Sequence, residues 1–166
     1  MTIKPFKGVR VAVPAGVAFE TAEGFARSKA HWLQVNMERV CKMEQTATAV
    51  KAQSHLDRKA AREKLVRRLN ELSARHGLCY ARVFVKNQKT RWGSCSEKNN
   101  INLNVNLAHL PEELMDYAIL HELVHTRIKN HGKRFWELLL SYMPDAKRRD
   151  RALNDYQAIL AGADRC

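Results

Sequence analysis

The sequence predicts an α+β fold: a small, mostly antiparallel sheet packed on one apolar helix, with additional helices toward both the N- and C-terminal ends. Three observations predict it. Long stretches carry apolar residues every three or four positions, the period of a helix face. Short stretches between them alternate apolar and polar residues, the period of a strand. The clearest of these, INLNVNL (Ile101–Leu107), lies just before the most apolar helical segment of the chain. The chain has 166 residues, enough for one domain with a real core.

VRVAVPAG (Val9–Gly16) alternates Val9, Val11 and Val13 with Arg10 and Ala12, reading as a short strand that stops at Pro14. A helix follows over about Glu20–Met43, with Ala26, Ala30, Leu33, Met37 and Val40 on one face and Phe25 and Trp32 widening it. Residues Glu44–Ser54 are weakly patterned and read as a linker or a frayed helix. A second helix runs over about His55–His76, with Ala61, Leu65, Leu69 and Leu72 inward. Gly77 is its stop, since glycine takes the left-handed C-cap conformation cheaply.

Period two then returns. Cys79–Lys86 and Thr90–Cys95 read as strands joined by a turn at Asn87–Lys89, and Ile101–Leu107 as a third after the polar loop SEKNN. In the third, Ile101, Leu103, Val105 and Leu107 face one way and Asn102, Asn104 and Asn106 the other. That pattern implies one buried and one solvated face. The short connections imply an antiparallel meander. Pro111 opens the next helix, where its missing N–H costs nothing. Glu112 and Glu113 complement the positive helix end. Leu114, Tyr117, Ala118, Leu120, Leu123 and Val124 make this helix apolar around much of its circumference, so it should be buried. Further helices are expected over Lys133–Tyr142, ending before Met143-Pro144, and over about Ala146–Leu160.

Composition narrows the function classes. With 45% hydrophobic and 28% charged residues the chain is globular, not disordered. No run approaches the roughly 18 apolar residues of a membrane span, and the N-terminus has no apolar stretch of the secretory kind. Cys41, Cys79, Cys95 and Cys166 are widely spaced, without a C-x-x-C pair. They read as reduced thiols of a cytoplasmic protein, not as a thiolate metal site. The formal net charge of +12 suggests an anionic partner, nucleic acid first, against the plainer reading of a solvated basic surface.

The chemistry concentrates in LHELVHTRIKNHGKRFW (Leu120–Trp136). His121 and His125 are four residues apart, which puts both rings on one helix face, a turn apart. Two imidazoles so placed can share one zinc ion. Glu122 lies beside the first of them, where it reaches a metal-bound water without being a ligand. In that H-E-x-x-H arrangement zinc acidifies its water and the glutamate takes the proton as a carbonyl is attacked. The plainer alternative is a buried amphipathic helix whose histidines are satisfied by hydrogen bonds. A catalytic zinc wants three protein ligands and an open position. His131 is the expected third, with Glu137 and Asp116 as competitors. A straight helix would carry His131 out of reach, so the chain must turn, and Asn130 and Gly132 both tolerate left-handed backbone. Metzincins place a glycine where this sequence has Ile128, so the bend must be made differently here.

The blocks RWGSC (Arg91–Cys95), NINLNVNL (Asn100–Leu107), HELVH (His121–His125), NHGKRFW (Asn130–Trp136) and YMPD (Tyr142–Asp145) resemble the YgjP-like metallopeptidase family, and VAVPAG and the helix ending near Trp32 resemble its N-terminal part. The resemblance implies a small zincin fold, minigluzincin-like. It implies zinc held by His121, His125 and His131, with Glu122 as the base. It also implies one metallopeptidase domain over 1–166, divided into an N-terminal strand and helices (1–77) and a catalytic core (78–166), that hydrolyses peptide bonds. The histidine spacing is similar to that of SprT-like and WLM peptidases, some of which digest DNA-attached proteins. Joined to the net charge of +12, that similarity raises a DNA-associated protease, with two basic clusters, Arg58, Lys59, Arg62, Lys64, Arg67 and Arg68, and Lys147, Arg148, Arg149 and Arg151, for non-specific phosphate contact, against the favoured plainer reading of an ordinary solvated face. A zinc-stabilised nucleic-acid- or protein-binding module without turnover is the alternative reading. Glu122 favours the enzyme, because a structural site needs no base and prefers four protein ligands.

Other residues carry paired readings. Trp92 is equally a cleft or a core residue, and Gly93 allows close backbone approach to the helix. Phe135 and Trp136 are expected under the site, positioning His131. Arg134 and Tyr142 are candidates for polarising the oxyanion. His31, His55, His76 and His109 read as surface or capping residues.

Overall fold

A computed structural model describes residues 1–4, 8–53, 58–88 and 90–163. His55, Lys89 and Cys166, with the readings attached to them, lie outside these. Strand β1 (Thr2–Lys4) pairs antiparallel with β2 (Gly8–Arg10). The valine alternation continues beyond Arg10, but among the described residues no strand pairs with Val11–Val13, and that segment is not a strand.

The expected helix over 20–43 is two helices, α1 (Phe19–Ser28) and α2 (Ala30–Gln53). They part at Lys29, where the Ser28 hydroxyl bonds back to Phe25 O, the kind of local bond by which serine competes with helix continuation. The weakly patterned residues after Met43 continue α2 rather than forming a linker. Helix α1 buries no residue, and Phe25 and Trp32, expected to face inward, are exposed. Helix α3 (Arg58–His76) buries the expected Ala61, Leu65, Leu69 and Leu72 and stops at Gly77, whose φ of 60° is the left-handed cap.

The second sheet corrects the expected meander. Its strands β3 (Arg82–Lys86), β4 (Gly93–Cys95) and β5 (Asn100–Asn104) stand in the order β3-β5-β4. Strand β5 is central, parallel to β3 and antiparallel to β4. Short loops permit a meander, but β4 has only three residues, so the chain passes β3's neighbouring position and fills it with the longer, more apolar β5. The segment after Asn104 is not strand either: Val105–His109 form a 3-10 turn, capped by the Asn104 side chain accepting from Asn106 N. Nor is Asn104 on a solvated face. It is buried, and its amide donates to Gln88 O (2.7 Å) and Arg91 O (2.9 Å). It thereby clamps the loop that delivers β4.

Helix α4 (Glu112–Val124) runs through the middle of the core, with Leu114, Met115, Tyr117, Ile119, Leu120, Leu123 and Val124 buried. It contacts α3, β4, α5 (Lys133–Tyr142) and α6 (Ala146–Ala163). Burial on all sides explains its all-round apolar sequence. Among the described residues no helix is long and apolar enough to cross a membrane.

Candidate metal centre

The C-terminal end of α4 carries His121 and Glu122, and His125 is its cap residue, still in helical geometry (φ −64°, ψ −14°). The helix therefore ends at the second histidine, not within the residues that follow. Thr126 N and Arg127 N bond back three residues, to Leu123 O and Val124 O, tightening the last turn. His125 Nδ1 donates to Ile128 O at 2.9 Å and closes the turn from the side. No left-handed residue takes part: Asn99 is the only non-glycine at positive φ among the described residues, and Gly132 is extended. Asn130 instead accepts from Gly132 N through its side chain, at 3.3 Å. Lys129 straps the loop to the β4–β5 turn, donating to Ser96 O (2.7 Å) and Asn99 Oδ1 (2.6 Å). In place of a metzincin's glycine, hydrogen bonds from His125, Lys129 and Asn130 make the bend.

The result brings His131 back over α4. The three Nε2 atoms converge: His121 to His125 3.2 Å, His125 to His131 3.0 Å, and His131 to His121 2.9 Å. Among the described residues these three form the group able to hold a metal ion. The competing ligands are engaged elsewhere, Asp116 with Arg68 at 2.6 Å and Glu137 with Lys133 at 3.7 Å. Phe135, fully buried, packs its ring against all three imidazoles at 4.6–4.9 Å between centroids. It is the expected floor of the cluster. Trp136 is half-buried, with Lys147 over its ring.

Two histidine tautomers follow from the second partners. With Nδ1–H spent on Ile128 O, His125 Nε2 is a bare acceptor. His121 Nδ1 faces Tyr117 Oη at 3.4 Å, and that hydroxyl donates to Asp150 Oδ1 at 2.8 Å. The phenol oxygen is thus left to accept from His121, whose Nε2 is bare as well. Two lone pairs 3.2 Å apart repel unless a cation sits between them. Burial, with the neighbouring His125 and His131, pushes His121 down to about 3, and burial also lowers His125. The site thus favours neutral imidazoles, the form that binds metal.

Glu122 is buried beside them, and its Oε2 has no hydrogen-bond partner. Burial raises it to about 8, against the pull of Arg91. Gly93 is the reason it fits: a Cβ at that position would lie 2.7 Å from Cγ and Oε1 of Glu122. Trp92 is core, buried and donating to Leu153 O at 3.2 Å. Tyr142 packs its ring against His76 at 4.6 Å in a tilted contact, and Arg134 is exposed without a described partner. Sequence reasoning missed Tyr117, Asp150 and Arg91. Tyr117 stands one helical turn before His121, a spacing that could have suggested it. Asp150 has no such signal, because only the packing of α6 on α4 brings it near.

An α+β fold with a histidine pair and a buried glutamate on one helix, and a third histidine from the next loop, is of the metallopeptidase class. The sequence pattern of the YgjP-like metallopeptidase domain matches residues 39–156, and the chain belongs to that family. A metallopeptidase hydrolyses peptide bonds with a divalent metal. Among solved structures, the crystal structure of the metallopeptidase zymogen of Pyrococcus abyssi abylysin is 25% identical with a TM-score of 0.49, covering 56% of this chain and 95% of that one. No curated protein matches the chain.

Proposed function

We propose that the chain is a zinc-dependent peptidase of one domain in which His121, His125 and His131 hold the ion and Glu122 is the general base. One observation carries this: three imidazole Nε2 atoms meet within 3.2 Å beside a buried, unpartnered carboxylate oxygen. The donor set suits the metal. Zinc–imidazole bonds of about 2.0–2.1 Å in tetrahedral geometry separate the nitrogens by roughly 3.3–3.4 Å, close to the spacing present. Three imidazoles also leave the fourth position that a catalytic site keeps open. When bound, zinc supplies Lewis acidity and lowers the pKa of coordinated water to about 7.

The chain's own residues do the rest. Ile128 O and the Tyr117–Asp150 pair fix the two helix histidines with Nε2 inward. Phe135 seals the floor. Glu122 takes a proton on Oε2, the atom nothing else engages, and delivers it to the leaving amine. Burial raises its proton affinity in the metal-free chain, and a bound cation would draw it back toward the range in which a base can later act as an acid. Glu122→Gln should retain stoichiometric zinc and lose hydrolysis of a peptide pool by at least about a thousandfold. Equal turnover in that variant would sink the mechanism. His131→Ala should lose zinc on dialysis, and retention at the wild-type level would remove His131 from the ligand set.

A further inference from the structure

The loop that presents His131 encloses a cavity of about 410 Å3 on its own account, and nothing above uses it. Four cations line it, Arg127, Lys129, Lys133 and Arg134, together with Ile128 and Gly132, and no carboxylate does. Two of the cations are held by uncharged acceptors. Arg127 donates to Gly77 O at 2.7 Å, and Lys129 to Ser96 O and Asn99 Oδ1. Such bonds fix a cation in place without neutralising it, so its field stays available and little ordering remains to be done on binding. Lys133 shares only an exposed contact with Glu137 at 3.7 Å, worth little in water. Arg134 has no partner among the described residues. Lys133 and Arg134 thus supply the charges closest to hand for an anion in the cavity, while Arg127 and Lys129, whose charged ends are anchored on Gly77 and the β4–β5 turn, add to the positive field around it.

The pocket shares its wall with the metal centre. The carbonyl of Ile128 holds His125, and Asn130 and Gly132 flank His131. Arg134 is three residues from His131, so their Cα atoms are at most about 11 Å apart. An extended peptide advances about 3.3 Å per residue. A residue three or four positions from the scissile bond therefore spans that distance.

Resting on the peptidase reading, we propose that this pocket is a substrate subsite that takes the carboxylate of a Glu or Asp side chain, so that the enzyme selects acidic peptides. A cavity of about 410 Å3 suits one carboxylate and its residue. A nucleic acid would instead call for cations strung along a track at the phosphate repeat.

The test uses the full-length, zinc-loaded Glu122→Gln protein and fluorescein-labelled peptides that differ only in Glu against Gln, read by polarisation. Glu peptides should bind about tenfold tighter at low salt, with the advantage shrinking in 0.5 M salt, a concentration of about 4 Å screening length. Arg134→Gln should cut the advantage, and Lys133→Glu with Arg134→Glu should abolish it, with zinc content and circular dichroism unchanged. Equal affinities for the two peptides overturn the proposal, as does an advantage that survives charge reversal. A DNA oligonucleotide that outcompetes the Glu peptide and loses binding in the same variants also overturns it, assigning the pocket to nucleic acid. A wild-type chain that binds Glu peptides through these residues yet cleaves nothing would refute the peptidase reading and leave the pocket standing.

Discussion

Gly93 and Asp150 decide more at the site than their positions in the sequence suggest. Gly93 sits in β4 with the Glu122 side chain pressed on it, so close that a methyl group would overlap the carboxylate. The Glu122 side chain is itself buried where α4 meets β4. Gly93→Ala should therefore displace the carboxylate, cost about 1–3 kcal/mol as overpacking does, and lower turnover while zinc stays bound. Urea unfolding and zinc titration of the same sample separate these effects. Asp150 acts at one remove. It holds the Tyr117 hydroxyl, which in turn orients His121. Residues that orient metal ligands typically contribute 10–100-fold in affinity. Asp150→Asn should weaken zinc binding by roughly that factor against a chromophoric chelator, and Tyr117→Phe by a similar factor. An unchanged zinc affinity in both would show that His121 is oriented by packing against Phe135 alone.

The elements differ in how far the sequence announced them. Helices α3, α4 and α5 were legible because each buries a stripe or a whole surface, and that burial is written as periodicity. The pairing of His121 with His125 was legible for the same reason: a helix fixes their spacing, and the apolar residues of α4 marked the helix. Pairing in the sheet was not legible. Alternation in β5 says which side chains share a face, but a strand's partners depend on contacts far along the chain, and β5 took β3 in parallel. Asn104 shows the limit at one position. Its period-two place predicts solvent, yet its amide is buried against two loop carbonyls, a role that no local pattern encodes. That clamp connects β5 to the loop before Trp92 and Gly93, and so to the wall behind Glu122. Asn104→Ala should leave the carbonyls of Gln88 and Arg91 without their donor and destabilise the protein by about 2–3 kcal/mol. Faster amide exchange confined to β4 and the loop before it would locate the damage. Exchange unchanged there would mean that the loop is held by Trp92 instead.

Across the whole molecule, cations outnumber acids, 29 to 17, yet many are committed within the fold. Arg68 is locked by Asp116 and Glu71, Lys64 bonds Ala108 O, Arg148 and Arg149 both reach Asp145, and Arg39 pairs with Asp155. The titration behaviour of the metal-free chain depends on other groups. Burial lowers His121 to about 3 and also lowers His125, His76 and His109, all from an ordinary value of 6.5. Burial raises Glu122 from 4.5 to about 8. The sign follows from which state holds more protons. Between pH 4.5 and 6.5 the unfolded chain protonates these four histidines and the folded chain resists, whereas among the described residues Glu122 works the other way. Stability therefore falls as the pH drops below 6.5. Between 6.5 and 8 these histidines are largely neutral in both states, and among the described residues Glu122 binds a proton in the folded state that the unfolded state lacks. There stability falls as the pH rises. The metal-free protein should be most resistant to urea near pH 6.5, with a lower midpoint at pH 5 and a smaller decline by pH 8. Glu122→Gln removes the group responsible on the alkaline side among the described residues, so its midpoint should stay level from pH 6.5 to 8 while the acid-side loss persists. An alkaline decline that remained in Glu122→Gln would place the raised carboxyl elsewhere in the molecule.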